Sequence, residues 1–350
     1  MNSLLILTVC EKTRTGIPAV WIPSKLREAL LTRSISKLYS VVAIKTVQPT
    51  EPYPHYGLSR NRTATGEFRY ALSCPILIWL QRSDMQKNVG YIQYEVSFGD
   101  VQANLNTVQE LVRYNADADL LVLPELALTG YDFVDKQELS RYAEPFGKGP
   151  SSQPLLDLAA EINCTLVMGY PETTPDGFYN SAMTALPDGQ LFNYRKIHLF
   201  SRETELFLPG DAPPSIIETS AGRVGIMICF DWIFPETARS LALQGAQIIA
   251  HPSNLVLDYC QQAMYCRCVE NGIFAITANR TGTEDRAGRS LTFTGASQVM
   301  DPAGNQLLQA PADGQHAGWV AIDPGEADNK FITPQNHRFE DRRPELYPGL

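Results

Sequence analysis

Between residues 87 and 322, short apolar runs alternate with stretches of helical spacing, and this alternation limits the possible folds most strongly. Two turn sequences, Pro187-Asp188-Gly189 and Asp301-Pro302-Ala303-Gly304, each separate a pair of strand-like runs and predict hairpins. Hairpins require antiparallel neighbours within a sheet. We therefore predict an α/β protein with mixed sheets covered by helices, rather than a purely parallel doubly wound fold.

The periodicity predicts individual elements along this region. Predicted helices cover 101–112, 154–162, 235–246 and 258–271. Predicted strands cover 87–96, 120–123, 165–170, 179–186, 190–199, 224–228, 246–250, 273–278, 296–300, 306–308 and 318–322. No stretch within 86–350 resembles a linker, so we predict one domain over residues 85–350.

Residues 1–84 have a different character. Few segments there keep a period of 2 or 3.6, and a convincing first strand follows directly after Met85. We expect residues 1–84 to be an extension that is poorly packed or not native to the gene product. The alternative is a small accessory segment packed on the domain.

Charge and composition exclude several classes of protein. The net charge is −9 and the isoelectric point is near 5.2, which argues against partners that need a basic face, namely nucleic acids and anionic membranes. No apolar run reaches the roughly 18 residues of a membrane helix. The sequence therefore predicts a globular protein that binds neither nucleic acid nor membrane.

The chain has seven cysteines, an odd number that does not resemble a disulfide framework, so we expect a cytoplasmic location. Cys260, Cys266 and Cys268 cluster without a nearby histidine and match no standard zinc spacing. We predict no metal site and no cofactor.

Residues 222–236 combine a turn, a buried strand and a helix start. The apolar run ends at Cys229, and Pro235 suits the first turn of the following helix. Ligands of α/β proteins bind at the carboxyl ends of strands, so Cys229 is a candidate nucleophile. Taken alone, it is better explained as an inert buried thiol, and only the rest of the chain favours the nucleophile.

Glu125 and Lys196, like Cys229, lie in or at the end of apolar strand-like runs. Glu125 ends the apolar run LLVLPE, and Lys196 lies in the strand-like run LFNYRKIHLF. A carboxylate can take the proton of a thiol and return it to a leaving amine, while an ammonium group favours the thiolate and stabilises an oxyanion. Glu125, Lys196 and Cys229 therefore suit a hydrolase that forms a thioester and needs no metal.

The segments LVLPELALTGY, YRKIHLF and GIMICFDWIFPE resemble the nitrilase superfamily, whose members are carbon–nitrogen hydrolases with a Glu-Lys-Cys triad. The resemblance covers about residues 88–343 and is greatest to small archaeal-type nitrilases and aliphatic amidases. It implies that Glu125 is the general base, Lys196 the oxyanion stabiliser and Cys229 the nucleophile. A second glutamate of the family corresponds best to Glu203, with Glu205 as the fallback.

The same resemblance implies further site residues and the overall architecture. The backbone N–H of Phe230 would complete an oxyanion hole, and Tyr131, Trp232 and Asn254 would be pocket walls. Asp231 and Glu236 are expected to serve the helix start, where acids complement the dipole. The implied fold is a four-layer α-β-β-α sandwich with two mixed sheets, in a homodimer or higher homo-oligomer that pairs through the helix at 258–271.

The implied reaction is hydrolysis of a non-peptide C–N bond in a small amide or nitrile, with release of ammonia. An N-carbamoyl amidohydrolase and an acyltransferase would use the same triad. A Cys–His hydrolase would instead need His198 or His251 beside Cys229, and a non-enzymatic binding protein is disfavoured by the intact triad. The residues do not indicate which of these compounds is the preferred substrate: small aliphatic or acidic amides, carbamoyl compounds or nitriles.

Overall fold

The structure, a computed structural model, describes residues 86–286 and 288–348, together with the backbone of residues 60–62 and 68–70. The chain divides into two compact units, Met1–Ser73 and Cys74–Leu350. In the first unit, β1 (Arg60–Arg62) pairs antiparallel with β2 (Phe68–Tyr70). Apart from these two strands, the predicted extension at 1–84 lies outside the described residues.

The second unit alternates strands and helices as predicted. Its helices are α1 (Val101–Tyr114), α2 (Lys136–Leu139), α3 (Ser152–Ile162), α4 (Glu203–Leu206), α5 (Pro235–Leu243) and α6 (Cys260–Asn271). Its strands are β3 (Lys87–Gln93), β4 (Leu120–Val122), β5 (Thr165–Thr174), β6 (Gly177–Ala185), β7 (Leu191–Arg195), β8 (Ile216–Thr219), β9 (Gly222–Ile226), β10 (Ile248–Pro252), β11 (Phe274–Ala278), β12 (Thr283–Arg286), β13 (Arg289–Thr292), β14 (Gln298–Met300), β15 (Gln306–Gln309), β16 (His316–Ile322), β17 (Phe331–Thr333) and β18 (Asn336–His337). Short 3-10 helices cover Cys229–Ile233, Pro324–Asp328 and Pro344–Leu346.

Two six-stranded mixed sheets organise the described part of this unit. The first has the strand order β16-β3-β4-β5-β6-β7, and the second has the order β15-β14-β11-β10-β9-β8. In each sheet three parallel strands lie at the centre, β3-β4-β5 and β9-β10-β11, and antiparallel strands flank them. The hairpins predicted at residues 187–189 and 301–304 connect β6 to β7 and β14 to β15. The predicted mixed topology is confirmed.

The period-2 alternation of the central strands produces the layers. Leu120 and Val122 of β4 belong to a core shared with Val224 and Ile226 of the facing sheet. Leu121 points to the opposite face of β4, where it belongs to a second core with residues of α1 and α3. Helices α5 and α6 contribute Leu241 and Met264 to the core of the second sheet. The order helix, sheet, sheet, helix confirms the predicted four-layer sandwich.

Some elements differ from the sequence-based expectation. Strands β8, β12, β13, β17 and β18 and helices α2 and α4 were not predicted, because each is too short to establish a period. Strand β7 ends at Arg195, so Lys196 follows the strand rather than lying within it. Helix α6 starts at Cys260, two residues later than predicted. Within the described residues, no helix is long and apolar enough to cross a membrane.

Gly169 in β5 allows the chain after β4 to approach closely. A Cβ atom at this position would lie 2.5 Å from the Cα of Glu125 and 2.7 Å from the backbone nitrogen of Leu126. Both of these neighbours are backbone atoms, which cannot move aside as a flexible side chain could. The absence of a side chain at residue 169 therefore helps to fix the position of Glu125.

We predict that Gly169→Ala lowers the free energy of unfolding by about 1–3 kcal/mol, because the added methyl group overpacks the strand and displaces residue 125. Denaturant unfolding measures this change. Gly318→Ala in β16 is a matched control, since its Cβ would meet nothing nearer than a side-chain atom of Leu308 at 3.6 Å. Equal stabilities of the two variants would contradict the prediction.

Candidate active site

Glu125 lies just beyond the end of β4 and is fully buried. Backbone hydrogen bonds extend the ladder past the strand: Leu123 N–H donates to the Val167 carbonyl (2.8 Å), and Gly169 N–H donates to the Pro124 carbonyl (3.1 Å). Leu126 then adopts a left-handed conformation, with φ of 49°. The chain thus turns sharply at the position that carries the carboxylate.

Lys196 directly follows β7, and its side chain is completely buried. Its backbone N–H donates to the Asn180 carbonyl at 2.8 Å, which holds the chain against β6. The ammonium group donates to Oε1 of Glu125 at 2.7 Å and to Oε1 of Glu203 at 2.8 Å. One cation is therefore shared by two buried carboxylates.

Glu203 is the first residue of α4 and is buried, whereas Glu205 is exposed and pairs with Arg202. The Tyr131 hydroxyl donates to Oε1 of Glu203 at 2.7 Å, and the Phe200 N–H donates to its Oε2 at 3.1 Å. Of the two glutamates considered, Glu203 is the one that contacts Lys196. Tyr131 supports this carboxylate.

Cys229 follows β9 by three residues and opens a 3-10 helix, not α5. Its φ of 41° is unusual for a residue with a side chain and indicates local backbone strain. The residue is 5% exposed. His251 donates from Nε2 to the Cys229 carbonyl (2.9 Å), so this imidazole supports the backbone of the strained residue.

Asp231 connects the segment around Cys229 with the segment around Lys196. Its carboxylate accepts hydrogen bonds from the Ile228 N–H (2.9 Å), the Tyr194 hydroxyl (2.8 Å) and the His198 N–H (3.0 Å), and it pairs with Nδ1 of His198 at 2.8 Å. Asp231 does serve a helix start, because it accepts from the N–H of Ile228, which precedes the 3-10 helix at Cys229–Ile233, but this helix is not α5, which begins four residues after Asp231. Glu236 does lie in the first turn of α5.

Burial and the neighbouring charges shift the pKa values of Glu125, Lys196 and Cys229. Burial raises the pKa of Glu125, and although Lys196 opposes this, the pKa stays above its usual value. Burial alone would lower the pKa of Lys196, but the carboxylates of Glu125 and Glu203 outweigh it and raise the pKa. Burial, followed by the charge of Glu125, raises the pKa of the Cys229 thiol, while Lys196 acts in the opposite direction. At rest the lysine is therefore charged and the thiol keeps its proton.

A small cavity that opens to solvent borders Cys229. Trp232 and Asn254, which were expected to be pocket walls, border it, and the other bordering residues are Phe200, Phe230, Leu255, Val256, Leu257, Tyr259 and Cys260. Tyr131 is not among the residues that border it. Asn254 also donates from Nδ2 to the backbone carbonyl of Glu125 at 2.9 Å, which connects the cavity wall to the buried carboxylate.

The family model for carbon–nitrogen hydrolases matches residues 88–329 of this chain. The chain belongs to the carbon–nitrogen hydrolase family. It is accordingly an enzyme of the class that hydrolyses carbon–nitrogen bonds other than peptide bonds, and the resemblance to the nitrilase superfamily is confirmed.

Named relatives of this carbon–nitrogen hydrolase include both nitrilases and amidases. The chain is 39% identical over 261 residues to a nitrilase of Pyrococcus abyssi, covering 74% of this chain and 98% of the relative. It is 30% identical to N-carbamoylputrescine amidase of Solanum lycopersicum, covering 72% and 90%. A mutant of the amidase from Nesterenkonia sp. AN1 has the same fold, with a TM-score of 0.62, 25% identity, and coverage of 74% of this chain and 95% of that one. That structure shows covalent addition of the acetamide moiety of fluoroacetamide at the active-site cysteine.

Sequence reasoning did not find Asn180, and it did not find the bonds that Asp231 makes to the segment around Lys196. Asn180 of β6 donates from Nδ2 to Oε1 of Glu125 at 2.7 Å, and Asp231 accepts from the Tyr194 hydroxyl. Asn180 lies in a buried stretch of β6 that also contains Ser181 and Thr184, and an amide within a predicted strand was the available indication.

The two candidate histidines of a Cys–His hydrolase do not act on the thiol in this arrangement. His198 pairs with Asp231 and stacks on Phe234, and His251 bonds to the Cys229 carbonyl, to Ser253 and to Thr277. Among residues 86–286 and 288–348, no group of three or more His, Cys, Asp or Glu side chains could hold a metal ion.

Burial lowers the pKa of His251 from its usual 6.5 to about 4, against the opposing effect of the bond to the Cys229 carbonyl. Between about pH 6.5 and 4, His251 is therefore protonated in the unfolded chain but neutral in the folded chain. This neutral imidazole contributes stability above about pH 6.5, and that contribution is lost as the pH falls toward 4.

We predict that wild-type protein loses up to roughly 3 kcal/mol more of its unfolding free energy between pH 6.5 and 4 than His251→Gln does, because only the wild type contains this titration. Denaturant unfolding at several pH values measures both slopes. Parallel slopes would show that His251 does not titrate differently in the folded and unfolded states.

Proposed function

We propose that this carbon–nitrogen hydrolase is a thiol hydrolase that cleaves a small amide or nitrile through a thioester on Cys229 and releases ammonia. The observation that carries the proposal is the position of the Lys196 ammonium group between Glu125 and Glu203 in the buried environment of the thiol. This arrangement provides a base, an oxyanion stabiliser and a nucleophile with no further group required.

For an amide, the proposed reaction begins when Glu125 accepts the thiol proton and the sulfur attacks the carbonyl carbon. The oxyanion that forms accepts hydrogen bonds from Lys196 and from the backbone N–H of Phe230. The C–N bond then breaks as the proton passes from Glu125 to the departing nitrogen, and ammonia leaves. Water deprotonated by Glu125 attacks the thioester, which releases the carboxylic acid and the thiol.

The raised pKa of Glu125 suits this use, since a base that must also return its proton works best with a pKa close to the operating pH. Glu203 would hold Lys196 charged and in place, and Tyr131 would hold Glu203. A nitrile would follow the same path through a thioimidate, and a first water would convert it to the thioester with loss of ammonia. The covalent adduct on the cysteine of the Nesterenkonia amidase supports Cys229 as the nucleophile.

Two alternatives use the same residues. The similarity to N-carbamoylputrescine amidase supports an N-carbamoyl amidohydrolase, which would release carbon dioxide together with ammonia. An acyltransferase would pass the acyl group from Cys229 to an amine. Product analysis with and without added amines distinguishes both from simple hydrolysis.

We predict that Cys229→Ala abolishes ammonia release from a panel of amides, nitriles and carbamoyl compounds, with a loss of roughly 1,000-fold or more because no nucleophile remains. Cys266→Ala is the control, since that thiol is exposed on α6. Circular dichroism verifies that both variants are folded. Undiminished activity of Cys229→Ala, or no ammonia from any compound with wild type, would refute the proposed function.

We also propose that residues 85–350 form the complete hydrolase domain, since the family match lies entirely within them. A chain that starts at Met85 is expected to be soluble and to keep wild-type kcat/KM. Assays of the two purified chains side by side measure this. An insoluble or inactive shortened chain would show that residues 1–84 are an integral part of the enzyme.

We further propose a cytosolic homodimer that pairs through α6, whose exposed residues include Tyr265 and Cys266. The unpaired cysteines support the compartment. Sedimentation of the purified chain and fractionation of cells test the two parts of this proposal separately.

A further inference from the structure

We infer that the acyl group of the substrate is uncharged and apolar, so that the preferred substrates are short aliphatic primary amides or the corresponding nitriles. This inference rests on the proposed function and specifies its substrate class. It is drawn from the chemistry of the cavity that leads to Cys229 and from the charges that surround it.

The inner part of the cavity is apolar except next to the nucleophile. Trp232, Leu255 and Cys260 border it and are buried, and Asn254 is the one side-chain amide among the described residues that border it. Asn254 also bonds to the backbone of Glu125, which places this amide in the region of the reacting group. The rest of the inner wall offers mainly apolar contacts to a substrate.

The mouth of the cavity is also apolar, although it faces solvent. Leu257 is 42% exposed and Tyr259 is 47% exposed, and both border the cavity together with Val256. Large apolar residues exposed around a concavity are typical of a ligand-binding site. The apolar surface therefore continues from the nucleophile outward, along the path that an acyl chain would occupy.

No charged side chain among the described residues borders this cavity. Lys196 already donates to both Glu125 and Glu203, so its ammonium group offers no free partner for a carboxylate on the acyl group. Oε2 of Glu125 accepts no hydrogen bond among the described residues and is the oxygen available to take the thiol proton in the proposed reaction. A carboxylate on the acyl group would be desolvated without a partner in the cavity wall, and an ammonium group would lose its hydration inside an apolar wall.

Turnover of matched amides tests the inference. We expect kcat/KM to rise roughly fourfold for each methylene from acetamide to butyramide, because each added group is buried. Pentanamide should exceed its charged isostere 4-aminobutyramide by roughly tenfold or more, and butyramide should exceed succinamate similarly. Preference for succinamate or 4-aminobutyramide would overturn the inference while leaving the proposed function intact.

Alkylation of Cys229 tests the same inference without turnover. Iodoacetamide and iodoacetate each form a C–S bond to the sulfur and release iodide, and they differ in the charge of the attached group. Glutathione in the same solution provides the standard for intrinsic thiol reactivity. Mass spectrometry should show a rate ratio of iodoacetamide to iodoacetate at Cys229 that exceeds the ratio at glutathione by roughly tenfold or more. Equal ratios would overturn the inference, even if no substrate were turned over.

A charge placed at the mouth should change the preference. Leu257→Lys is expected to raise kcat/KM for succinamate relative to butyramide roughly tenfold, since the new ammonium group would pair with the carboxylate. Leu307→Lys is the matched control, because Leu307 is a comparably exposed leucine on β15 that does not border the cavity. An unchanged ratio in Leu257→Lys would show that the acyl group does not pass this mouth.

Discussion

The shared ammonium group of Lys196 is the interaction on which the rest of the site depends. Removing a lysine from water costs several kcal/mol, and a carboxylate costs a comparable amount. Lys196 is stable in its completely buried position because Glu125 and Glu203 both accept hydrogen bonds from it, at 2.7 and 2.8 Å. Removing one partner of a buried ion pair lowers the free energy of unfolding by about 3–5 kcal/mol, since the charge that remains is buried without compensation. The three residues are therefore coupled in stability as well as in chemistry.

The surrounding polar residues fix the geometry of this cluster from different parts of the chain. Asn180 and Asn254 bond to the side chain and the backbone of Glu125, while Tyr131 bonds to Glu203. Asp231 then ties the backbone before Cys229 to the strand end that carries Lys196, through Ile228, Tyr194 and His198. These bonds stabilise two left-handed backbone positions, at Leu126 and Cys229, that would be unfavourable by themselves. Among the described residues, Asn163, Ser201 and Ala296 are the other non-glycine residues with left-handed φ, whereas these two lie at Cys229 and directly after Glu125.

The sequence allowed the fold and the central residues of the site to be predicted, because both depend on local patterns. Glu125 and Cys229 follow apolar runs that form parallel strands at the centres of the two sheets, and the layers follow from period-2 alternation. The supporting residues depend on contacts between distant segments. Asn180 lies 55 residues from Glu125, Tyr131 lies 72 residues from Glu203, and Asp231 lies 37 residues from Tyr194. No periodicity in one segment specifies such a pairing, and for this reason Tyr131 was expected in the pocket wall and the bonds of Asp231 to the segment around Lys196 were not predicted.

Because the ammonium group of Lys196 is already paired with two carboxylates, the cluster also limits how the enzyme can recognise a substrate under the proposed function. A site that used Lys196 to bind a substrate carboxylate would have to break one of two buried ion pairs, and it would lose the charge that stabilises the oxyanion in the proposed reaction. The same cation cannot serve both purposes in one complex. Recognition of the acyl group must therefore come from the walls of the cavity, where apolar contacts do not compete with the charges needed for the reaction. Because burial of hydrocarbon has little directional preference, such walls discriminate by size and by charge, while Asn254 and the backbone beside Cys229 orient the reacting group.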